Sequence, residues 1–241
     1  MSGHSKWSNI KNRKGAQDKK RSEAFTKISK NILTAIRVGS GITNIEGNLG
    51  LKIAVEKARE VNMPKENIDR LIAKFEARKA NLVAMTMEGY GPFGVPMVIE
   101  LETDNKNRTL GEIKLIFRNY GGSLGESNSV MFQFKRMGEI ELDSVEQNKI
   151  DDEKQLELID AGAIDFDENI ILVEPNDLSN LVKKVEDMGL SVLRSELVLR
   201  SNNPIMLNSE EEVGKIMDMV EELEENDDVI NVFAGFDYKK V

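Results

Sequence analysis

Ile164-Asp165-Phe166-Asp167-Glu168-Asn169-Ile170-Ile171-Leu172-Val173 decides how the longer part of the chain is read. Two short β-prone runs, Ile164 to Phe166 and Ile170 to Val173, flank the polar Asp167-Glu168-Asn169, which is the pattern of a hairpin. Upstream lie a helical segment, Lys154 to Ala161, and a strand, Ile140 to Leu142. Downstream, Pro175-Asn176 breaks the chain before a helix over Asp177 to Met188 and a strand over Leu190 to Leu199. The order β-α-β-β-α-β is the ferredoxin-like arrangement, here assigned to residues 137–202.

The flanks of this unit also match each other in element order. Val95 to Leu101 is apolar and β-prone. Thr103 or Asp104 can cap a helix running to Tyr120, which Gly121-Gly122 ends, and Val130 to Phe134 reads as a strand. On the far side Ile205 to Leu207 is a strand. Ser209 with Glu212 makes a capping box for a helix through Leu223, and Asp227-Asp228 turns into a strand over Val229 to Phe236. Joined, residues 88–136 and 203–241 form a second ferredoxin-like unit into which the first is inserted. The expected fold class is therefore α+β. An N-terminal three-helix domain is followed by two ferredoxin-like α/β domains, one inserted in the other.

Residues 1–80 supply the helical domain. Phe25, Ile28, Ile32 and Ile36 recur at helical spacing, widened by Leu33 and Ala35. Gly39-Ser40-Gly41 stops that helix. Leu51, Ala54, Val55, Ala58 and Val61 form a second stripe. Pro64 suits the first turn of a third helix, whose apolar face is Ile68, Leu71, Ile72 and Phe75. The arm before Ser22 has few apolar residues and is expected to order only on binding. Residues 77–88 read as a linker or irregular strand. Gly89-Tyr90-Gly91-Pro92-Phe93-Gly94 then breaks regular structure.

Charge divides the chain in the same place. The 241 residues carry a net charge of −9. Residues 1–80 hold 18 Lys and Arg against 8 Asp and Glu, a balance of +10; residues 81–241 hold 15 against 34, a balance of −19. Such asymmetry points to a nucleic-acid contact on the basic side. The basic residues are densest at Lys6, Lys11, Arg13, Lys14, Lys19, Lys20 and Arg21, with Lys27 and Lys30 following. Lys and Arg neutralise phosphates and release counterions. Trp7, the sole tryptophan, supplies an indole for stacking on an unpaired base. A solvated charged tail is the plain alternative from charge alone.

Other function classes find little support. A hydrophobic content of 40% with 31% charged residues describes a globular chain. The sequence has no apolar run near the roughly 20 residues of a membrane span. Patterned sequence starts at Met1 without a signal peptide, so a cytoplasmic product is expected. There are no cysteines, which excludes disulfides, thiolate metal sites and thiol nucleophiles. His4, the one histidine, lies in the arm and is a poor general base, because such a base must be held within hydrogen-bond reach of its target. No Walker A loop or GxSxG elbow occurs. Gly121-Gly122-Ser123-Leu124-Gly125 follows a helix, whereas a phosphate cradle follows a strand. The acidic runs Glu210-Glu211-Glu212, Glu221-Glu222 and Glu224-Glu225 share a helix with the apolar stripe Ile216, Met219, Val220 and Leu223, and read as a solvated face. Asp104 to Thr109 reads as a helix cap, with a partner contact from Lys106 or Arg108 left open. No enzyme, cofactor or metal site is expected. No membrane partner or small-molecule substrate is expected either.

Six strings resemble the YebC family of regulators: Gly3 to Lys11 with Arg13 to Asp18; Asn62-Met63-Pro64-Lys65 with Asn67-Ile68; Glu88 to Pro92; Thr103 to Thr109; Tyr120 to Gly125; and Asp227-Asp228-Val229. The resemblance implies a helical N-terminal domain with two α/β domains, and a regulator rather than an enzyme. Bacterial members are described as DNA-binding transcriptional regulators. Relatives, including the mitochondrial translational activator of cytochrome c oxidase, act on translation. The family's basic domain falls on residues 1–80, which carries the binding role to Lys6, Trp7, Lys11, Arg13, Lys14, Lys19, Lys20 and Arg21. This chain departs from the family pattern in the short apolar Phe75 to Met87, in Val130-Met131-Phe132 where a tryptophan is usual, and in Gly47-Asn48-Leu49-Gly50. Two targets follow. One is DNA, read by a transcriptional regulator; the other is ribosomal RNA, bound by a translation factor through a basic arm with an aromatic. A protein scaffold is the third reading.

Overall fold

The computed structural model describes residues 17–79, 81–143, 150–167 and 169–238, with the backbone alone described at 17–24, 26, 27, 38 and 152. Three helices come first: α1 Gln17–Val38, α2 Leu49–Glu60 and α3 Lys65–Lys79. The helix reaches back to Gln17, so residues 17–21 of the expected arm are already helical. The segment Lys19 to Glu23 lacks glycine and proline, and the buried stripe further along gives the helix something to grow from.

Two devices end α1 and start α2. Ser40 and Gly41 take φ of 57° and 72°, and the Gly41 N–H donates to the Ile36 carbonyl at 2.7 Å, a reversal that left-handed backbone permits. Asn48 then bonds in both directions. Its Oδ1 accepts from the Leu51 N–H at 3.0 Å, capping α2. Its Nδ2 donates to the carbonyls of Ala35 and Ile42, both at 3.0 Å. Gly39 lacks a side chain for a reason, because a Cβ there would run into the Asn48 amide. The expected stripes meet in one core: Ile32, Ile36, Leu51 and Ala58 are fully buried, with Ile68 and Phe75 beside them.

The outer α/β unit opens with a regular strand across the end of the stretch read as a linker or an irregular strand and into Gly89-Tyr90. Strand β1, Val83–Tyr90, pairs antiparallel with β2, Pro96–Thr103, in unbroken register from Val83↔Thr103 to Tyr90↔Pro96. Helix α4 spans Lys106–Asn119. Its cap is Asn105, whose Oδ1 accepts from the Arg108 N–H at 3.1 Å, rather than Thr103 or Asp104. Strand β3, Ser123–Leu124, returns beside β1. Met131–Gln133 is a 3-10 turn, which displaces the strand expected over Val130 to Phe134. The strand begins at Phe134.

That strand, β4 (Phe134–Leu142), starts the inner unit. Helix α5 Asp152–Asp160, strands β5 Ala163–Asp167 and β6 Ile170–Val173, helix α6 Leu178–Asp187 and strand β7 Val192–Ser201 follow. The sheet order β5-β6-β4-β7, antiparallel throughout, is the ferredoxin-like order. The chain then returns to the outer unit through β8 Ile205–Leu207, α7 Glu210–Glu225, β9 Val229–Ala234 and β10 Phe236–Tyr238. β9 pairs with β2, completing a sheet ordered β3-β1-β2-β9, and β10 pairs in parallel with β8.

Strand β2 is the centre of this architecture. Its alternate side chains Met97, Ile99 and Leu101 enter the core under α4 and α7 with Phe117, Ile216 and Leu223. Val98, on the opposite face as period-2 alternation requires, packs with Val130, Phe134 and Leu199 of the inner unit's boundary. No helix among the described residues is long and apolar enough to cross a membrane.

Candidate nucleic-acid interface

Of the binding residues singled out from sequence, Lys6, Trp7, Lys11, Arg13 and Lys14 lie outside the described residues. Lys19, Lys20 and Arg21 fall on the first turns of α1.

The other end of the basic domain faces the acidic outer unit. Four of its cations are matched there by carboxylates. Arg37 Nε lies 2.8 Å from Glu102 Oε2 and Lys30 Nζ 3.6 Å from Glu224. Lys74 pairs with Asp227, and Arg78 with both Asp104 and Asp228. Part of the +10 balance of residues 1–80 is therefore neutralised within the molecule. Charge counting along the sequence cannot show this, because the partners lie far along the chain.

Asp228 is the centre of that contact. It is 2% exposed. Arg108 Nη2 donates to its Oδ2 at 2.7 Å, and the hydroxyls of Thr109 and Thr103 reach the same oxygen at 2.6 and 2.9 Å. Arg78 takes the other oxygen and forks onto Asp104 through Nε and Nη2, both at 2.9 Å. Burial by itself would raise the Asp228 carboxyl. The hydrogen bonds from Arg78, Thr109, Arg108 and Thr103 outweigh it and hold the pKa at about 2. Two of the singled-out strings, Thr103 to Thr109 and Asp227-Asp228-Val229, thus build one interdomain clasp. Arg108 is engaged in it, which answers one of the two contacts left open in the sequence. Lys106 is exposed.

Glu88, at the head of one glycine string, makes a second buried carboxylate site with the loop that follows the other. Glu88, 6% exposed, accepts backbone N–H donors from Asn128 at 2.7 Å, Val130 at 2.9 Å and Met131 at 2.7 Å. Burial pushes its carboxyl up, but the three donors hold it below the usual range. A Cβ on Gly89 would lie 2.5 Å from the Ser123 carbonyl oxygen, and one on Gly122 would lie 2.5 Å from that of Tyr90. Both glycines permit this close backbone approach. Glu88 therefore fixes a loop that carries Phe132, 73% exposed. The acidic face of α7 gathers no metal-binding cluster among the described residues.

Comparison with known proteins follows this division of the chain. Residues 5–78 match the TACO1/YebC protein N-terminal domain, and residues 82–236 match the TACO1/YebC second and third domain. A probable transcriptional regulatory protein of Moorella thermoacetica is 41% identical over 244 residues, covering 98% of this chain and 96% of the relative. One from Thermoanaerobacter pseudethanolicus is 43% identical over 240 residues, covering 97% and 96%. The crystal structure of a conserved hypothetical protein, Aq1575 of Aquifex aeolicus, aligns over 95% of both chains with a TM-score of 0.67 and 33% identity.

Proposed function

The chain belongs to the TACO1/YebC family, and from that premise we propose that it regulates gene expression, without catalysis of its own, by binding nucleic acid through its basic N-terminal domain. The observation that carries this reading is the placement of charge. The acidic outer unit docks on the later part of α1 and the end of α3, through Lys30, Arg37, Lys74 and Arg78. The dense basic run Lys6, Lys11, Arg13, Lys14, Lys19, Lys20 and Arg21 belongs to the opposite end of α1 and the residues before it. A polyanion approaching that end meets the seven cations of residues 1–21, opposed only by Asp18, first, and the acidic units orient the approach.

The relatives' name favours DNA as the target. A feature of α3 favours RNA. A helix that reads a major groove offers Arg, Asn or Gln to base edges. The exposed face of α3 instead interleaves Lys65 and Arg70 with Glu66, Asp69 and Glu76, and its last turn is held by Asp104 and Asp228. Carboxylates on that face would oppose a phosphate backbone. Contacts made by a basic segment with Trp7 suit unpaired bases and phosphates, which RNA loops present. Ribosomal RNA is therefore the proposed target.

The test compares the full chain with a variant in which Lys6, Lys11, Arg13, Lys14, Lys19, Lys20 and Arg21 are changed to Gln, by co-sedimentation with ribosomes and by salt-titrated DNA binding. Pelleting of the full chain but not the variant supports the RNA reading. Sequence-selective DNA binding at physiological salt without pelleting would replace it with the transcriptional one.

A further inference from the structure

A second cationic surface lies on α4, in the part of the chain whose balance is −19. At 3.6 residues per turn, Asn107, Gly111, Lys114 and Arg118 fall within about 60° of one another. All four are exposed. They sit away from Thr109, Ile113 and Ile116, which face the core. Exposed Leu110 and Leu115, each 46% accessible, flank the stripe.

Three features of this face lack an explanation inside the fold. First, like charges four residues apart repel on a helix, and Lys114 and Arg118 are so spaced. Arg118 stands in the last turn, where the helix dipole favours a cation. Lys114 has no such reason. Second, neither cation has an ion pair among the described residues. Glu112, the one carboxylate of the helix, is directed toward Arg108 and Asn226. Third, Gly111 weakens the middle of an exposed helix, yet a Cβ there would meet nothing within 4 Å. No internal contact requires the glycine. It leaves a shallow gap between two leucines and beside two cations, which lets an external backbone approach closely.

We propose that this face of α4 is a second nucleic-acid contact that takes the phosphodiester backbone of an RNA strand. Lys114 and Arg118 neutralise phosphates, Gly111 admits the backbone, and Leu110 and Leu115 meet the faces of unpaired bases. A duplex stacks its bases and conceals those faces, so the leucines select a single strand. This surface rests on the nucleic-acid reading above and extends it from the basic domain to the acidic α/β part.

The experiment measures affinity of the full chain for a short single-stranded RNA, and for DNA of the same sequence, across a salt series. Three variants are compared: Lys114→Glu with Arg118→Glu, Gly111→Leu, and the N-terminal Gln variant. Loss of two phosphate contacts should lower the salt slope by about 1.4 for a single strand and weaken binding at low salt. Gly111→Leu should weaken binding at unchanged slope while the melting temperature holds or rises, since leucine favours the helix. Wild-type affinity in both α4 variants, with loss only in the N-terminal variant, would overturn the second surface and leave the proposed function standing. Equal losses on RNA and DNA would overturn the choice of RNA. Variants that bind RNA normally but lose self-association in sedimentation would assign the face to a second copy instead. Absence of RNA binding by the wild type would overturn both proposals.

Discussion

Arg78, in the last turn of α3, and Asp228, at the foot of β9, are 150 residues apart in sequence and form one ion pair. Their side chains are 18% and 3% exposed. The pair joins the basic helical domain to the acidic outer unit, and Arg108, Thr103 and Thr109 complete its shell. The removal of one partner leaves the others in a buried site without compensation.

Asp228→Ala is accordingly expected to cost about 3 kcal/mol, the range for breaking a buried, hydrogen-bonded charge pair. A double-mutant cycle with Arg78→Ala, followed by urea denaturation, should give a coupling above about 1 kcal/mol, as residues in one network do. Additive losses would show that the pair has no net role in docking the two parts.

Acid should loosen the same clasp. Asp228 has a folded pKa of about 2, below the roughly 3.9 of an unfolded aspartate. Its contribution is present above the unfolded value and is lost as pH falls toward 2, about 2–3 kcal/mol in all. Glu88, also held below its usual range, adds a loss of the same sign. Thermal melts between pH 6 and pH 2 should show the fall, and Asp228→Asn should flatten it. An unchanged slope in that variant would show that other carboxylates cause the acid sensitivity.

Glu88→Gln places an amide, itself a donor, against the three N–H groups of Asn128, Val130 and Met131. A buried donor left without an acceptor costs about 1–3 kcal/mol. Hydrogen exchange should quicken at those three amides before the rest of the sheet. Protection unchanged from the wild type would mean that the loop is held by the Gly125 to Glu88 backbone bond and not by the carboxylate.

Phe93 holds left-handed backbone, φ 60° and ψ 13°, with its ring 46% exposed and Lys215 Nζ 5.6 Å from the ring centroid. Asparagine tolerates that conformation at lower cost, so Phe93→Asn should stabilise the fold by up to about 1 kcal/mol. A loss of that size in chemical denaturation would mean that the cation–π contact outweighs the backbone strain.

How much was legible from sequence depended on the range of the interaction responsible. The stripes Ile32/Ile36, Leu51/Ala58 and Ile68/Phe75 and the hairpin from Ile164 to Val173 follow from local periodicity. They appear where spacing placed them. The Ser209 cap formed as read, with the Glu212 N–H donating to its Oγ at 3.2 Å, although the Glu212 carboxylate takes the Asn208 N–H, one residue earlier than a capping box requires. Strand β1 was legible only as a linker or an irregular strand, because Gly89 and Tyr90 resemble the start of a turn. Its extended backbone is fixed by pairing with β2 on one side and β3 on the other.

What the sequence by itself determined is the helices with their apolar stripes, the hairpin from Ile164 to Val173, the nesting of one α/β unit in the other, and the division into basic and acidic parts. Periodicity, capping and net charge are properties of neighbours along the chain. Tertiary structure alone decided which charges are paired within the fold. It sets Arg78 and Arg108 against Asp228 and leaves Lys114 and Arg118 facing water. Charge pairing acts over a few ångströms of space, and that distance bears no relation to separation along the sequence.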